Sequence, residues 1–168
     1  MTQLLSGFGR WLELRGTLRI YGPAISWGAF LLVVHVQTWW AMFGLREWED
    51  WNFLQFIFVL LQPILLFLLA VLAFPGAGSP QRDLRTNFFA QRKWFFALHI
   101  ALLCVSINKD LVRSGELPEA PNLAFHAIMF ITSIIGLKTE RDIHHSVLGY
   151  SALIGISVYI VALFARLT

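Results

Sequence analysis

Five long apolar segments constrain this chain of 168 residues more than any other feature of its sequence. They cover residues 23–44, 53–74, 94–113, 121–137 and 145–167. A helix rises about 1.5 Å per residue, so roughly 20 residues cross the ~30 Å hydrocarbon core of a bilayer. With 57% hydrophobic and 14% charged residues, the chain cannot bury all five segments in one soluble core. The sequence predicts one polytopic domain over residues 1–168, an all-α membrane protein whose five transmembrane helices form a bundle.

Basic residues indicate which ends of the spans face the cytoplasm, because short cytoplasmic loops retain Lys and Arg. If the N-terminus is inside, nine of the 13 cations lie on the inner side. The inner cations are Arg10, Arg15, Arg19, Arg82, Arg85, Arg92, Lys93, Lys138 and Arg141. We therefore predict a cytoplasmic N-terminus and an exported C-terminus (N-in, C-out), in the inner (plasma) membrane of a bacterium.

Two segments are expected to lie on the cytoplasmic membrane surface. Residues 1–22 place Leu4, Phe8 and other apolar side chains on one helical face, which is typical of an amphipathic interfacial helix. Residues 81–93 carry four cations around Phe88 and Phe89 and are expected to form a surface helix that leads into the third span. Both segments predict contact with anionic lipid headgroups. Their basic surface is too small to indicate nucleic-acid binding.

The tryptophans are predicted to be interface anchors, since indole rings prefer the headgroup level. Trp27 and Trp94 fall at the inner ends of predicted spans. The outer group consists of Trp39, Trp40, Trp48 and Trp51. All of these are therefore expected to face the membrane boundary.

Sequence motifs of soluble enzymes are absent from the chain. It has no Gly-rich phosphate loop, no CxxC pair and no HExxH sequence, and its single cysteine, Cys104, cannot form an internal disulfide. No carboxylate falls near the middle of a predicted span, which argues against ordinary proton-coupled transport. We expect a non-enzymatic role and no cofactor.

Each predicted span places one hydrogen-bonding side chain at a common depth. His35, Gln62, Ser106 and His126 lie twelve residues from the inner ends of their spans, and Tyr159 lies fourteen. Twelve residues correspond to roughly 18 Å, which is near the bilayer centre. These five side chains are predicted to line a pathway or binding site for an ion or small solute.

A second set of polar residues lies nearer the cytoplasmic face, and its histidines are His99, His144 and His145. On the third span, His99, Ser106 and Asp110 recur at helical spacing, and Arg113 follows one turn later. Residues at this spacing share one side of a helix, so this side is expected to face the interior of the bundle.

Other interpretations of the polar layer remain open. Polar side chains in membrane spans often hydrogen-bond to neighbouring helices, so the layer can be purely structural. Pairs of histidines at matching depth can also ligate b-type haem between helices. The pairs with suitable depth are His35 with His126, and His99 with His144 or His145. A Soret band in the absorbance of purified protein would identify haem.

Two weaker interpretations concern metals and assembly. His126, Met129 and Cys104 include soft ligands of the kind that copper prefers, although no metal is specified by the sequence. Ser151, Gly155 and Ala162 form a stripe of small residues along the fifth span, and such stripes let helices approach closely. This stripe suits a homo-oligomer or an accessory subunit of a larger membrane complex.

Overall fold

Six α-helices make up most of the part of the chain that the computed structural model describes, which is residues 2–13, 20–47, 49–74 and 83–163. They are α1 (Thr2–Glu13), α2 (Gly22–Phe43), α3 (Phe53–Ala73), α4 (Leu84–Ser114), α5 (Ala120–Lys138) and α6 (Asp142–Leu163). Five of them, α2 to α6, are long and apolar enough to span a membrane. The prediction of an all-α protein with five membrane-length helices is confirmed. The N-in, C-out orientation stays a prediction.

The five long helices pack side by side in chain order, and α6 returns to pack against α2. Their buried faces meet in a core that contains Trp27, Phe30, Leu66, Phe96, Met129 and Ile156. Large apolar side chains also cover the outside of the bundle, among them Phe53, Ile131, Val147 and Val161. Such an apolar exterior is what lipid contact requires. We call the end where α4 begins the inner end, and the opposite end the outer end.

α4 is longer than the sequence predicted. It is one continuous helix of 31 residues, rather than a surface helix followed by a span from residue 94. Asp83 caps its N-terminus by accepting a hydrogen bond from the backbone N–H of Arg85 (2.9 Å). Gly115, with a φ of 72°, ends it in the left-handed conformation that glycine adopts readily. The segment predicted as a surface helix is helical from Leu84 and continues without a break into the span, because no Gly or Pro interrupts it. Its position at the membrane surface stays a prediction.

α4 and α5 run antiparallel in a register that repeats along their contact. The facing pairs, from the inner end outward, are Phe96 with Gly136, His99 with Ser133 and Ser106 with His126. Gly136 permits the close approach, because a Cβ added there would lie 2.4 Å from a ring atom of Phe96. The register therefore places the polar residues of the two helices directly opposite each other.

Ion pairs and hydrogen bonds hold the inner end together. Arg85 donates two hydrogen bonds to the Asp142 carboxylate, at 3.0 and 2.8 Å, and the Tyr21 hydroxyl donates a third at 2.8 Å. Burial and the bond to Asp142 raise the pKa of Tyr21, so its hydroxyl remains a donor. Arg92, which is buried, donates to the Thr139 carbonyl and to Glu140. Both arginines thus have partners within the protein, and their contact with headgroups stays a prediction.

The tryptophans fall into two groups. Trp39, Trp40, Trp51 and Trp94 are exposed on the outside of the bundle, where interface anchors belong. Trp27 is only 1% exposed, and its ring meets those of Phe30, Phe95, Phe96 and His99 edge-on. The prediction that Trp27 is an interface anchor is wrong, because these rings enclose it in the core. Trp48 and the side chain of Trp11 lie outside the described residues.

α1 packs against the bundle near the inner end of α3. Leu4 is fully buried, and Phe8 meets Phe74 edge-on with 5.0 Å between ring centroids. The Phe74 ring fits against Gly7 and Gly28, where an added Cβ would come within 2.6 and 2.7 Å of it. A helix is thus present over Thr2–Glu13 of the segment predicted as interfacial, whereas residues 14–19 lie outside the described part. Its position on the membrane surface stays a prediction.

The orientation of the five spans can be tested at the C-terminus. An odd number of spans places the two termini on opposite sides of the membrane, and the cation bias places the N-terminus inside. We expect a C-terminal alkaline phosphatase fusion to be active and a C-terminal green fluorescent protein fusion to be dark in bacterial cells. The reverse pattern would show that the C-terminus is cytoplasmic.

Candidate functional site: a polar cavity between the helices

A cavity of about 250 Å³ lies between all five long helices. Its polar lining consists of Gln37, Gln62, His99, Ser106, Lys109, Asp110, Asn122, His126 and Tyr159. The half-buried side chains of Lys109 and Asp110 lie at the outer end of the cavity, and His99 lies at its inner end. The cavity therefore extends from the outer end of the bundle into its interior.

Four of the five residues predicted to form a polar layer line this cavity: Gln62, Ser106, His126 and Tyr159. His35 is buried but does not line it, and its Nδ1–H donates to the carbonyl of Leu31 at 2.7 Å. On α2 the cavity is lined instead by Phe30, Val34, Gln37 and Ala41. Counting residues gives the depth of His35 but not the side of the helix on which it lies.

His126 is at the centre of a hydrogen-bonded network. Its Nδ1–H donates to the backbone carbonyl of Asn122 (2.9 Å), which leaves Nε2 as an acceptor. The Ser106 hydroxyl donates to Nε2 at 3.1 Å, and the Tyr159 hydroxyl donates to Asn122 Oδ1 at 3.1 Å. This network joins α4, α5 and α6 on one side of the cavity and fixes the orientation of the imidazole ring.

Gln62 lies on the opposite side of the cavity, on α3. Its Nε2 donates to Thr38 Oγ1 at 3.4 Å, whereas its Oε1 is buried and has no hydrogen-bond partner within the described part of the chain. A buried polar atom without a partner costs about 1–3 kcal/mol.

The three histidines predicted nearer the cytoplasmic face do not share one site. His99 lines the cavity, and its Nδ1–H donates to Ser133 Oγ (2.8 Å), which in turn donates to the Met129 carbonyl (2.7 Å). His145 is fully buried against Phe96, and its Nε2–H donates to the Thr139 carbonyl (3.0 Å). His144 is exposed. Of these three, only His99 lines the cavity.

The predicted metal and haem arrangements can be compared with these positions. The histidines that line the cavity are His99 and His126. No predicted haem pair has both of its histidines in this lining. Cys104 is exposed on the outside of α4 and does not line the cavity beside His126 and Met129. Among the described residues, no three His, Cys, Asp or Glu side chains are grouped to hold a metal ion.

Two residues that line the cavity were missed by counting depth. Asn122 lies one turn before His126, and Gln37 lies one turn after Val34. The sequence does contain a signal for each of them, because Gln37 is three residues from Val34 and Asn122 is four residues from His126. Residues at these spacings share one face of a helix. The face predicted for α4 does line the cavity through His99, Ser106 and Asp110, and the side chain of Arg113 lies outside the described residues.

Aromatic rings close the inner half of the bundle below the cavity. Phe30 and His99 meet edge-on with 5.4 Å between centroids, and the Trp27 ring lies 5.7 Å from that of His99. Phe95 and Phe96 pack against Trp27 on its other sides. These side chains are nearly fully buried, so the cavity ends at this aromatic layer.

Charges at the outer end of the cavity are balanced. Lys109 Nζ and an Asp110 carboxylate oxygen lie 3.8 Å apart. The remaining polar lining consists of amides, hydroxyls and imidazoles.

Comparison with known proteins finds no matching family model, curated protein or solved structure.

Proposed function

We propose that the protein binds a small, uncharged, polar solute in this cavity and admits it from the outer side of the membrane. The observation that carries the proposal is the convergence of hydrogen-bonding side chains, Gln62 among them, on one cavity. Such convergent polar groups in a largely apolar pocket are typical of ligand sites. An uncharged solute is favoured because the Lys109 and Asp110 charges compensate each other.

Binding is favoured over passage by the aromatic layer at the inner end. Trp27, Phe30 and Phe96 are at most 2% exposed, and they separate the cavity from the inner side. A pathway through the bundle would require these rings to move apart. The protein thus acts as a non-enzymatic binding protein whose site is reached from one side of the membrane.

Access to the cavity can be tested with a cysteine at Ser106. In a Cys104→Ala background, Ser106→Cys should react with a membrane-impermeant thiol reagent added to the outer side, because Ser106 lines the cavity. The native Cys104 is the matched control, since it lies two residues away on the outside of the same helix and faces lipid. In the protein without substitutions, the same water-soluble reagent should leave Cys104 unmodified.

Solute binding can be measured by protection in the same assay. Small neutral donors such as glycerol or acetamide should slow the modification of Ser106→Cys. Adding Gln62→Leu should weaken this protection about fivefold, since one hydrogen bond contributes ~1 kcal/mol. The proposal fails if the cysteine at residue 106 is as unreactive as Cys104, or if no neutral solute slows its modification.

A further inference from the structure

An apolar groove of about 440 Å³ lies on the lipid-facing side of α5 and α6. α5 lines it with Pro121, Ala124, Phe125, Ile128, Met129 and Thr132, and α6 with Ser151, Gly155, Val158, Tyr159 and Ala162. Gly155 provides depth, because an added Cβ would still lie 3.8 Å from Met129 and 3.9 Å from Phe125. The groove therefore has space for hydrocarbon between the two helices.

Three side chains line both this groove and the polar cavity: Phe125, Met129 and Tyr159. The rings of Phe125 and Tyr159 are stacked, with centroids 4.3 Å apart and an angle of 19° between their planes. The Tyr159 hydroxyl reaches Asn122 in the polar cavity. A wall that is one side chain thick thus separates an apolar groove open to lipid from a polar site in the bundle.

The groove covers the middle of the membrane-spanning part of α5 and α6. It extends from Pro121 to Thr132 on α5 and from Ser151 to Ala162 on α6. Eleven residues of helix measure roughly 16 Å, which is about half of the ~30 Å hydrocarbon thickness. Counted from the inner end of the predicted fifth span, Ser151 lies at about 9 Å and Ala162 at about 26 Å, so the groove crosses the centre of the bilayer.

We infer that the groove and the cavity together bind one amphiphile, a single-chain lipid with an uncharged hydroxyl head such as a long-chain alcohol. The chain lies in the groove, and the head enters the cavity past Phe125 and Tyr159. There its hydroxyl donates to and accepts from polar side chains of the lining. This inference rests on the proposed function, because the polar cavity supplies the contacts to the head.

The chemistry of the two sites selects this class of ligand. Among the described residues, Asp110 and Lys109 are the only carboxylate and ammonium that line the cavity, and they lie beside each other. A charged head would therefore lose its hydration there without gaining a free opposite charge. A fully polar solute would gain nothing from the groove, which is lined almost entirely by apolar side chains. An uncharged head on one hydrocarbon chain satisfies both surfaces.

Photolabelling of the full-length protein in lipid nanodiscs tests the inference. The probe is a radiolabelled hexadecanol that carries a diazirine on its chain. Gly155→Leu fills the groove and should lower labelling of the segment around Phe125 about tenfold, which corresponds to ~1.4 kcal/mol of lost binding. Gly155→Ala is the matched control and should label like the unmodified protein, because its Cβ makes only ordinary contacts. Val158→Trp fills the rim from an exposed position and serves if Gly155→Leu does not fold.

The outcomes separate this inference from the proposed function. Labelling that is equal in the unmodified protein and in both groove-filling variants overturns the inference, even if Ser106→Cys still reacts with aqueous reagent and is protected by glycerol. Labelling that depends on the groove, together with an unreactive Ser106→Cys, supports lipid entry and refutes entry from water. If Gly155→Leu instead converts a dimer to a monomer without changing the labelling, the groove binds a second copy of the chain and the inference is wrong.

Discussion

Gly136→Ala is expected to destabilise the helix bundle by about 1–3 kcal/mol, the usual cost of overpacking a core. A Cβ at this position would lie 2.4 to 2.7 Å from three ring atoms of Phe96. The Phe96 ring is fully buried and is held by the rings of Trp27, Phe95 and His145, so it cannot move aside. Unfolding of the purified protein in detergent measures the effect.

Two further variants make this expectation specific to the contact between α4 and α5. Gly155→Ala adds the same methyl group where the nearest atoms are 3.8 Å away, and its stability should match that of the unmodified protein. Phe96→Leu should recover part of the stability lost in Gly136→Ala, because it removes the ring that the new methyl group meets. Equal stability of Gly136→Ala and Gly155→Ala would show that α4 and α5 are farther apart than described.

Ser133→Ala is expected to destabilise the protein more than His99→Phe, although it removes only one oxygen atom. Ser133 accepts from His99 and donates to the Met129 carbonyl. Without its hydroxyl, the buried Nδ1–H of His99 has no acceptor there, which costs about 1–3 kcal/mol. His99→Phe leaves Ser133 bonded to Met129 and keeps the ring contacts with Trp27 and Phe30.

A double-mutant cycle checks this order. The combined variant, His99→Phe with Ser133→Ala, should be about as stable as His99→Phe alone, because no unpaired donor is left between the two positions. Thermal unfolding of the four proteins gives the coupling. A larger loss from His99→Phe than from Ser133→Ala would show that the imidazole contributes more than this one hydrogen bond.

The spans and the depth of most cavity residues could be predicted from the sequence, because hydropathy and a fixed rise per residue determine both. Depth alone placed Gln62, Ser106, His126 and Tyr159 near the same level, and the structure gathers them around one cavity. The depth count could not decide how α2 is rotated about its axis. His35 on this helix lies away from the cavity lining. Only the packing of α2 against its neighbours sets that rotation.

Other features could not be predicted because they depend on contacts between helices. Trp27 has the residue type and the position in the sequence of an interface anchor, yet the neighbouring rings enclose it. The wall between cavity and groove requires Phe125 on α5 and Tyr159 on α6 to stack, and these residues are 34 positions apart in the chain. No periodicity within a single helix specifies such a pair.

The unequal lengths of α4 and α5 have a consequence for the thickness of membrane that the bundle tolerates. α4, with 31 residues, is roughly 46 Å long, whereas its neighbour α5, with 19 residues, is roughly 28 Å long. In a thick bilayer the lipid must become locally thinner around α5. α4 can match a thin or a thick bilayer by changing its tilt. Lipids beside α5, which also forms one side of the apolar groove, are therefore expected to be the most compressed around the protein.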